Sequence, residues 1–143
     1  MRIMFYHHIL VPYDGSIQSE KALNDAIQLT KADEGITLEV IYVRYMPESQ
    51  FLDEDTYNEI SEKLNEREEK IFAKVSYKIS QFANSKITKK FGYPSEVILN
   101  HIKNTNIDLV IIGQSGIGGI KHFFGSVSHR IIHECKVPIL VIK

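Results

Sequence analysis

An α/β sandwich built on a parallel sheet is the architecture to expect of this 143-residue chain. Strand-type and helix-type patterns alternate five times along it, as repeated βαβ units require. The runs at 9–11 (Ile-Leu-Val), 109–112 (Leu-Val-Ile-Ile) and 139–142 (Ile-Leu-Val-Ile) are apolar at every position, which suits parallel strands covered on both faces. Turn clusters stand where strand must give way to helix, at Pro12-Tyr13-Asp14-Gly15-Ser16 and at Gly92-Tyr93-Pro94-Ser95.

The first strand ends at Pro12, and Ser16 is placed to cap the helix behind the turn. Ala22, Leu23, Ala26, Ile27 and Thr30 recur at helical spacing, with Lys21, Asp25, Gln28 and Lys31 on the wet face, and Gly35 is expected to end that helix. Residues 37–43 form the second strand. After a loop through Pro47, Tyr57, Ile60, Leu64, Ile71, Val75, Ile79 and Phe82 mark the longest helix, whose Glu/Lys-rich first half reads as a solvated surface with i,i+4 pairs. Residues 87–91 (Ile-Thr-Lys-Lys-Phe) make a weaker strand, and its two lysines suit a place near a sheet edge. A turn with a helix cap at 92–95 opens a short helix carrying Val97, Ile98 and Ile102. The strand at 109–112 follows, then a glycine-rich loop, then a helix with Val127, Ile131 and Cys135 on one face. Pro138 opens the last strand.

Length and composition predict one domain over residues 1–143, large enough to bury roughly two thirds of its unfolded surface. A net charge of −1 favours neither nucleic acid nor an anionic membrane. The single Cys135 excludes an intramolecular disulfide and fits a reducing compartment. No stretch reads as a signal peptide or a membrane span, so a cytoplasmic location is expected.

Five of the eight glycines, at 113, 116, 118, 119 and 125, fall between the fourth strand and the helix behind it. Glycine lets backbone N–H groups approach a ligand without a Cβ in the way, and a helix start capped by Ser126 would add donors and a dipole that suit an anion. The expectation is a phosphate cradle. It is not a Walker A motif, because Gly119 stands where a lysine is required. Nor is it the dinucleotide fingerprint, which belongs in the first strand–helix turn, where only Gly15 is found. In a doubly wound sheet the ligand sits beyond the carboxyl ends of the strands at the switch point, so neighbouring first and fourth strands would bring Asp14 and Gly113 to one crevice. Aspartate in such a turn commonly bonds its own backbone; the position of Asp14 at that switch favours a ribose contact.

The stretches 9–16 (Ile-Leu-Val-Pro-Tyr-Asp-Gly-Ser), 92–98 (Gly-Tyr-Pro-Ser-Glu-Val-Ile), 108–116 (Asp-Leu-Val-Ile-Ile-Gly-Gln-Ser-Gly), 125–128 (Gly-Ser-Val-Ser) and 137–142 (Val-Pro-Ile-Leu-Val-Ile) resemble the universal stress protein family in order and spacing across essentially the whole chain. The resemblance implies a Rossmann-like sheet of five parallel strands in the order 3-2-1-4-5 and a homodimer. Nucleotide-binding members carry a glycine, two residues, a second glycine, nine residues, then glycine and Ser or Thr. On that pattern Gly113, Gly116, Gly125 and Ser126 match the phosphate-contacting positions, with Val127 beside them. Pro12, Asp14 and Val43 match the adenosine side, and Ile112 the apolar residue before the loop. The implied ligand is ATP or AMP, with magnesium or manganese carried by the nucleotide. One departure is the segment 117–124, eight residues long rather than nine. Loop closure tolerates the difference, and triphosphate and monophosphate both stay open.

His129 and His133 share a helical face near Cys135, but Arg130 occupies the position where a zincin carries glutamate, so no metal site is expected. His7 and His8 point to opposite faces of a strand and are not expected to converge. Ser126 has no nucleophile elbow and no assignable base, so at most weak ATP hydrolysis is expected. The uniformly apolar last strand, at a sheet edge in the implied order, would pair with its own copy through Pro138 to Ile142. The leading expectation is thus an adenine-nucleotide-binding regulatory or stress-response module. Behind it stand a nucleotide-independent dimeric interaction module and a slow ATPase or phosphotransferase.

Overall fold

The computed structural model describes residues 5–45, 51–82, 84–114 and 121–143, the side chains of 121–125 excepted. In chain order the elements are β1 (His8–Pro12), α1 (Ile17–Ala32), β2 (Thr37–Arg44), α2 (Glu54–Ile79), β3 (Ser85–Phe91), α3 (Pro94–Asn104), β4 (Leu109–Gly113), α4 (Lys121–Glu134) and β5 (Ile139–Ile142). The five strands form one sheet in the order β3-β2-β1-β4-β5, every pairing parallel. The lysine-bearing β3 is one edge, as its sequence suggested, and the apolar β5 is the other, as the strand order implied by the resemblance requires.

Strand alternation divides the core into two layers. Ile9 and Val11 of β1, with Leu109 and Ile111 of β4, pack with Leu23 and Ala26 of α1 and Val75 of α2. Leu10, Val110 and Ile112 point the other way, onto Ile98 and Ile102 of α3 and Ile131 of α4. A strand buried on both faces needs apolar residues at consecutive positions, which accounts for the runs of β1 and β4; β5, expected to be covered in the same way, is an edge strand only partly buried.

Local signals were read correctly at some helix ends and wrongly at others. Ser16 caps α1, its Oγ accepting from the Ser19 N–H at 3.1 Å. That helix ends at Ala32 rather than being stopped by Gly35. Asp33 is its C-cap, and the Asp33 carboxylate accepts from the Gly35 N–H in the turn beyond. At α3 the cap position belongs to Tyr93, which makes no side-chain capping bond, and Pro94 opens the helix. Ser95 is buried and accepts from Arg130 Nη1 at 3.0 Å instead of capping.

The larger correction concerns α4, which begins at Lys121. Gly125 and Ser126 lie within it, so Ser126 is not its N-cap. Residues 121–124 (Lys-His-Phe-Phe) contain no helix breaker, and one glycine inside a helix costs only about 1 kcal/mol, so the helix extends past the expected start.

Candidate functional site

The sheet order reverses between β1 and β4, and the crevice above that reversal is built from four separated segments. Tyr13 and Asp14 follow β1, Ile41 and Val43 come from β2, Pro94 and Ile98 from α3, and Val127 from α4. Three residues expected on sequence grounds, Asp14, Val43 and Val127, therefore meet in one place. Pro12 and Ile112 lie buried in the ends of β1 and β4. Ser126 is exposed, one position before Val127. Gly116 falls within 115–120, outside the described residues, so the middle of the glycine loop does too.

The turn that presents Asp14 is held from several sides. The Asp14 Oδ1 accepts from the Ser16 N–H at 2.9 Å, the self-bonding turn that aspartate commonly makes. Both readings of Asp14 are compatible with this geometry, because an ionised carboxylate has about four acceptor positions and the turn takes one. Gly15 adopts φ +86°, a left-handed conformation that only glycine enters at little cost. Arg67 of α2 donates to the Asp14 carbonyl at 2.9 Å, and the Tyr13 N–H donates to the Ile41 carbonyl at 2.9 Å. Tyr13 is buried, and its hydroxyl donates to Glu20 Oε2 at 2.5 Å. Burial, and then the charge of Asp14, push the Tyr13 hydroxyl above its usual pKa, so it remains a donor. The apolar walls suit a planar base, and the carboxylate at one end suits hydroxyl donors such as those of a ribose.

Gly113 has a role its sequence context did not reveal. A Cβ there would stand 2.5 Å from the carbonyl carbon of Gln18 and 2.8 Å from its Cβ. Helix α1 crosses the end of β4 so closely that only glycine fits, whatever the loop beyond it binds.

The sequence reading also missed a polar cluster at the other end of the sheet. Glu39 is fully buried in β2. Its carboxylate accepts from His8 Nε2 and His101 Nε2, each at 2.7 Å, and from Thr88 Oγ1 at 2.5 Å. Burial pushes this carboxyl up. The hydrogen bonds from Thr88, His101 and His8 and the charge of His101 outweigh burial and hold it below the usual carboxylate range. One signal was present: a lone glutamate within the apolar run 38–43 must find partners if it is buried. Among the described residues no group of three or more His, Cys, Asp or Glu is arranged to hold a metal ion. The His129 and His133 rings touch edge to face, 4.4 Å between centroids.

A roomier groove of about 690 Å³ lies between α3 and α4, beside Leu99, Cys135 and Val137. It contains none of the residues expected at the site.

A doubly wound parallel sheet with a largely apolar crevice at its switch point is the architecture of the Rossmann-like α/β proteins. The family model for the universal stress protein family matches residues 5–143, and the chain belongs to that family. It is 31% identical to universal stress protein YxiE of Bacillus subtilis, covering 96% of this chain and 99% of that protein. Universal stress protein MJ0531 of Methanocaldococcus jannaschii is 28% identical over 96% of this chain and 82% of its own. Among solved structures, protein MJ0577 superposes with a TM-score of 0.78 at 24% identity, over 98% of this chain and 97% of that one. Two others share the fold and are described with ligands. A universal stress protein in complex with cAMP has a TM-score of 0.69 at 18% identity, covering 96% of both chains. One from Archaeoglobus fulgidus in complex with dAMP has 0.61 at 19%, covering 98% of this chain and all of that one.

Proposed function

We propose that this universal stress protein binds an adenine nucleotide, ATP or AMP, in the switch-point crevice and acts as a regulatory module in the stress response. The observation that carries the reading is the convergence of Asp14, Val43 and Val127, from three distant parts of the chain, on one crevice. Base and ribose would lie against Val43 and Asp14, with Pro12 and Ile112 shaping the floor. The phosphates would face Gly113, Gly116, Gly125 and Ser126. A magnesium or manganese ion would come with the phosphates and need no dedicated protein ligands. The complexes of structural neighbours with cAMP and dAMP support an adenine ligand.

Isothermal calorimetry with ATP, ADP and AMP tests the proposal. At least one should give saturable heat, and Asp14→Ala should weaken it by about tenfold or more, the usual cost of losing a hydrogen bond to a charged group. No heat from any of the three at millimolar concentration would remove the nucleotide reading and favour the nucleotide-independent module.

A homodimer formed by β5 is the second part of the proposal. β5 pairs with β4 on one side only, and Leu140 is 42% exposed along it. An apolar edge strand with an open row of backbone groups is a template for pairing, and a twofold axis lets each copy cover the other. Sedimentation should show a dimer at micromolar concentration that Leu140→Lys converts to monomer. A monomeric parent protein, or an unaltered dimer in the variant, contradicts it. The setting proposed is the cytoplasm: Cys135 is a free thiol, and no helix among the described residues is long and apolar enough to cross a membrane.

A further inference from the structure

Two tyrosines lie within two residues of positions that line the crevice, one beyond β2 and one before α3. Ile41 and Val43 line it from β2, and because strand side chains alternate between faces, Tyr45 continues the same row just beyond the strand. Tyr93 immediately precedes Pro94, a lining residue of α3. The two rings meet edge to face, with centroids 5.3 Å apart and planes at 75°. Neither ring belongs to either core layer, and Tyr93 is 58% exposed.

Local structure does not account for Tyr93. It occupies the N-cap of α3 without making a capping bond, at a position where Ser, Thr, Asp or Asn would stabilise the helix by about 1 kcal/mol. Nor does burial account for it. What the position does achieve is an exposed aromatic ring next in sequence to the lining residue Pro94, braced by a second ring from another element.

We propose that Tyr45 and Tyr93 form an aromatic wall on which the base of the bound nucleotide stacks, giving the site a preference for purine over pyrimidine nucleotides. The inference rests on the nucleotide reading above. A purine presents a larger π-face than a pyrimidine, and a base stacked on an aromatic side chain gains binding free energy without any base-specific hydrogen bond. The wall therefore supplies selection by ring size, while Asp14 serves the sugar.

Calorimetry with AMP and CMP on the parent protein, Tyr93→Ala and Tyr93→Phe tests it. The parent should bind AMP more tightly than CMP. Tyr93→Ala should weaken AMP by between about 5-fold and about 150-fold, the span of losing one stacked base, and should narrow the AMP-to-CMP ratio. Tyr93→Phe, which keeps the ring, should restore both. A second readout is spectroscopic: the chain has seven tyrosines and no tryptophan, so AMP should quench a portion of tyrosine emission that is missing in Tyr93→Phe. Unchanged AMP affinity in Tyr93→Ala, or an unchanged ratio, overturns the wall while leaving the nucleotide site intact. A parent protein that binds neither AMP nor ATP overturns both.

Discussion

Replacing Gly113 by alanine is expected to lower the unfolding free energy by about 3 kcal/mol, the upper part of the usual range for overpacking, and valine should cost more. A new Cβ would meet the main chain of Gln18 within 2.5 Å of its carbonyl carbon. Backbone cannot rotate away as a flexible side chain can, so either α1 or the end of β4 has to move. That displacement would disturb the Ser16–Ser19 capping turn and the presentation of Asp14. Urea denaturation of Gly113→Ala measures the effect, and a loss below about 1 kcal/mol would contradict the packing described. The consequence for functional work is direct. Lost nucleotide binding in a Gly113 variant reports a displaced helix as readily as a missing phosphate contact, so Asp14 and Tyr93 are the better probes.

Glu39→Ala should be destabilising by about 3–5 kcal/mol, the usual cost of removing one partner from a buried charged cluster. The substitution leaves His8, His101 and Thr88, on β1, α3 and β3, without their common acceptor. Lys86 stands 3.9 Å from the same carboxylate and cannot replace it. The pH dependence has a definite sign. The folded-state pKa of Glu39 lies below its unfolded value, so its contribution is complete above the unfolded carboxylate pKa of about 4.3 and is lost as pH falls through the folded value. Between about pH 5 and pH 3 the parent protein should therefore lose stability more steeply than Glu39→Gln. Parallel denaturation profiles across that window would show that the carboxylate is not held in its charged form by folding.

Patterns carried by consecutive residues translated well into structure. Unbroken apolar runs identified β1 and β4, because a strand buried on both faces leaves no position for a polar residue; β5, equally apolar, is an edge strand with Leu140 exposed. Lys89 and Lys90 marked β3 as an edge, and Ser16 marked the start of α1. Features set by distant parts of the chain did not translate. Nothing local to Gly113 discloses that α1 will lie against it. His8 and His101 are 93 residues apart, and only the fold brings both to Glu39. The cap assigned to Ser126 failed for another reason: a good capping residue is also tolerated inside a helix, and the residues before it include no proline to stop the helix running through. Within the proposed site, family resemblance pointed to Asp14, Val43 and Val127, which the fold brings to one crevice, whereas the pairing of Tyr45 with Tyr93 is visible only in their mutual geometry.

The proposed site is tested most directly by following backbone amide resonances of the 15N-labelled protein during titration with AMP. Saturable shifts should concentrate at Asp14, Val43, Tyr93 and Val127, with little change around Leu99, Cys135 and Val137 in the α3–α4 groove. An unchanged spectrum at millimolar AMP, or shifts confined to that groove, would contradict nucleotide binding at the switch point.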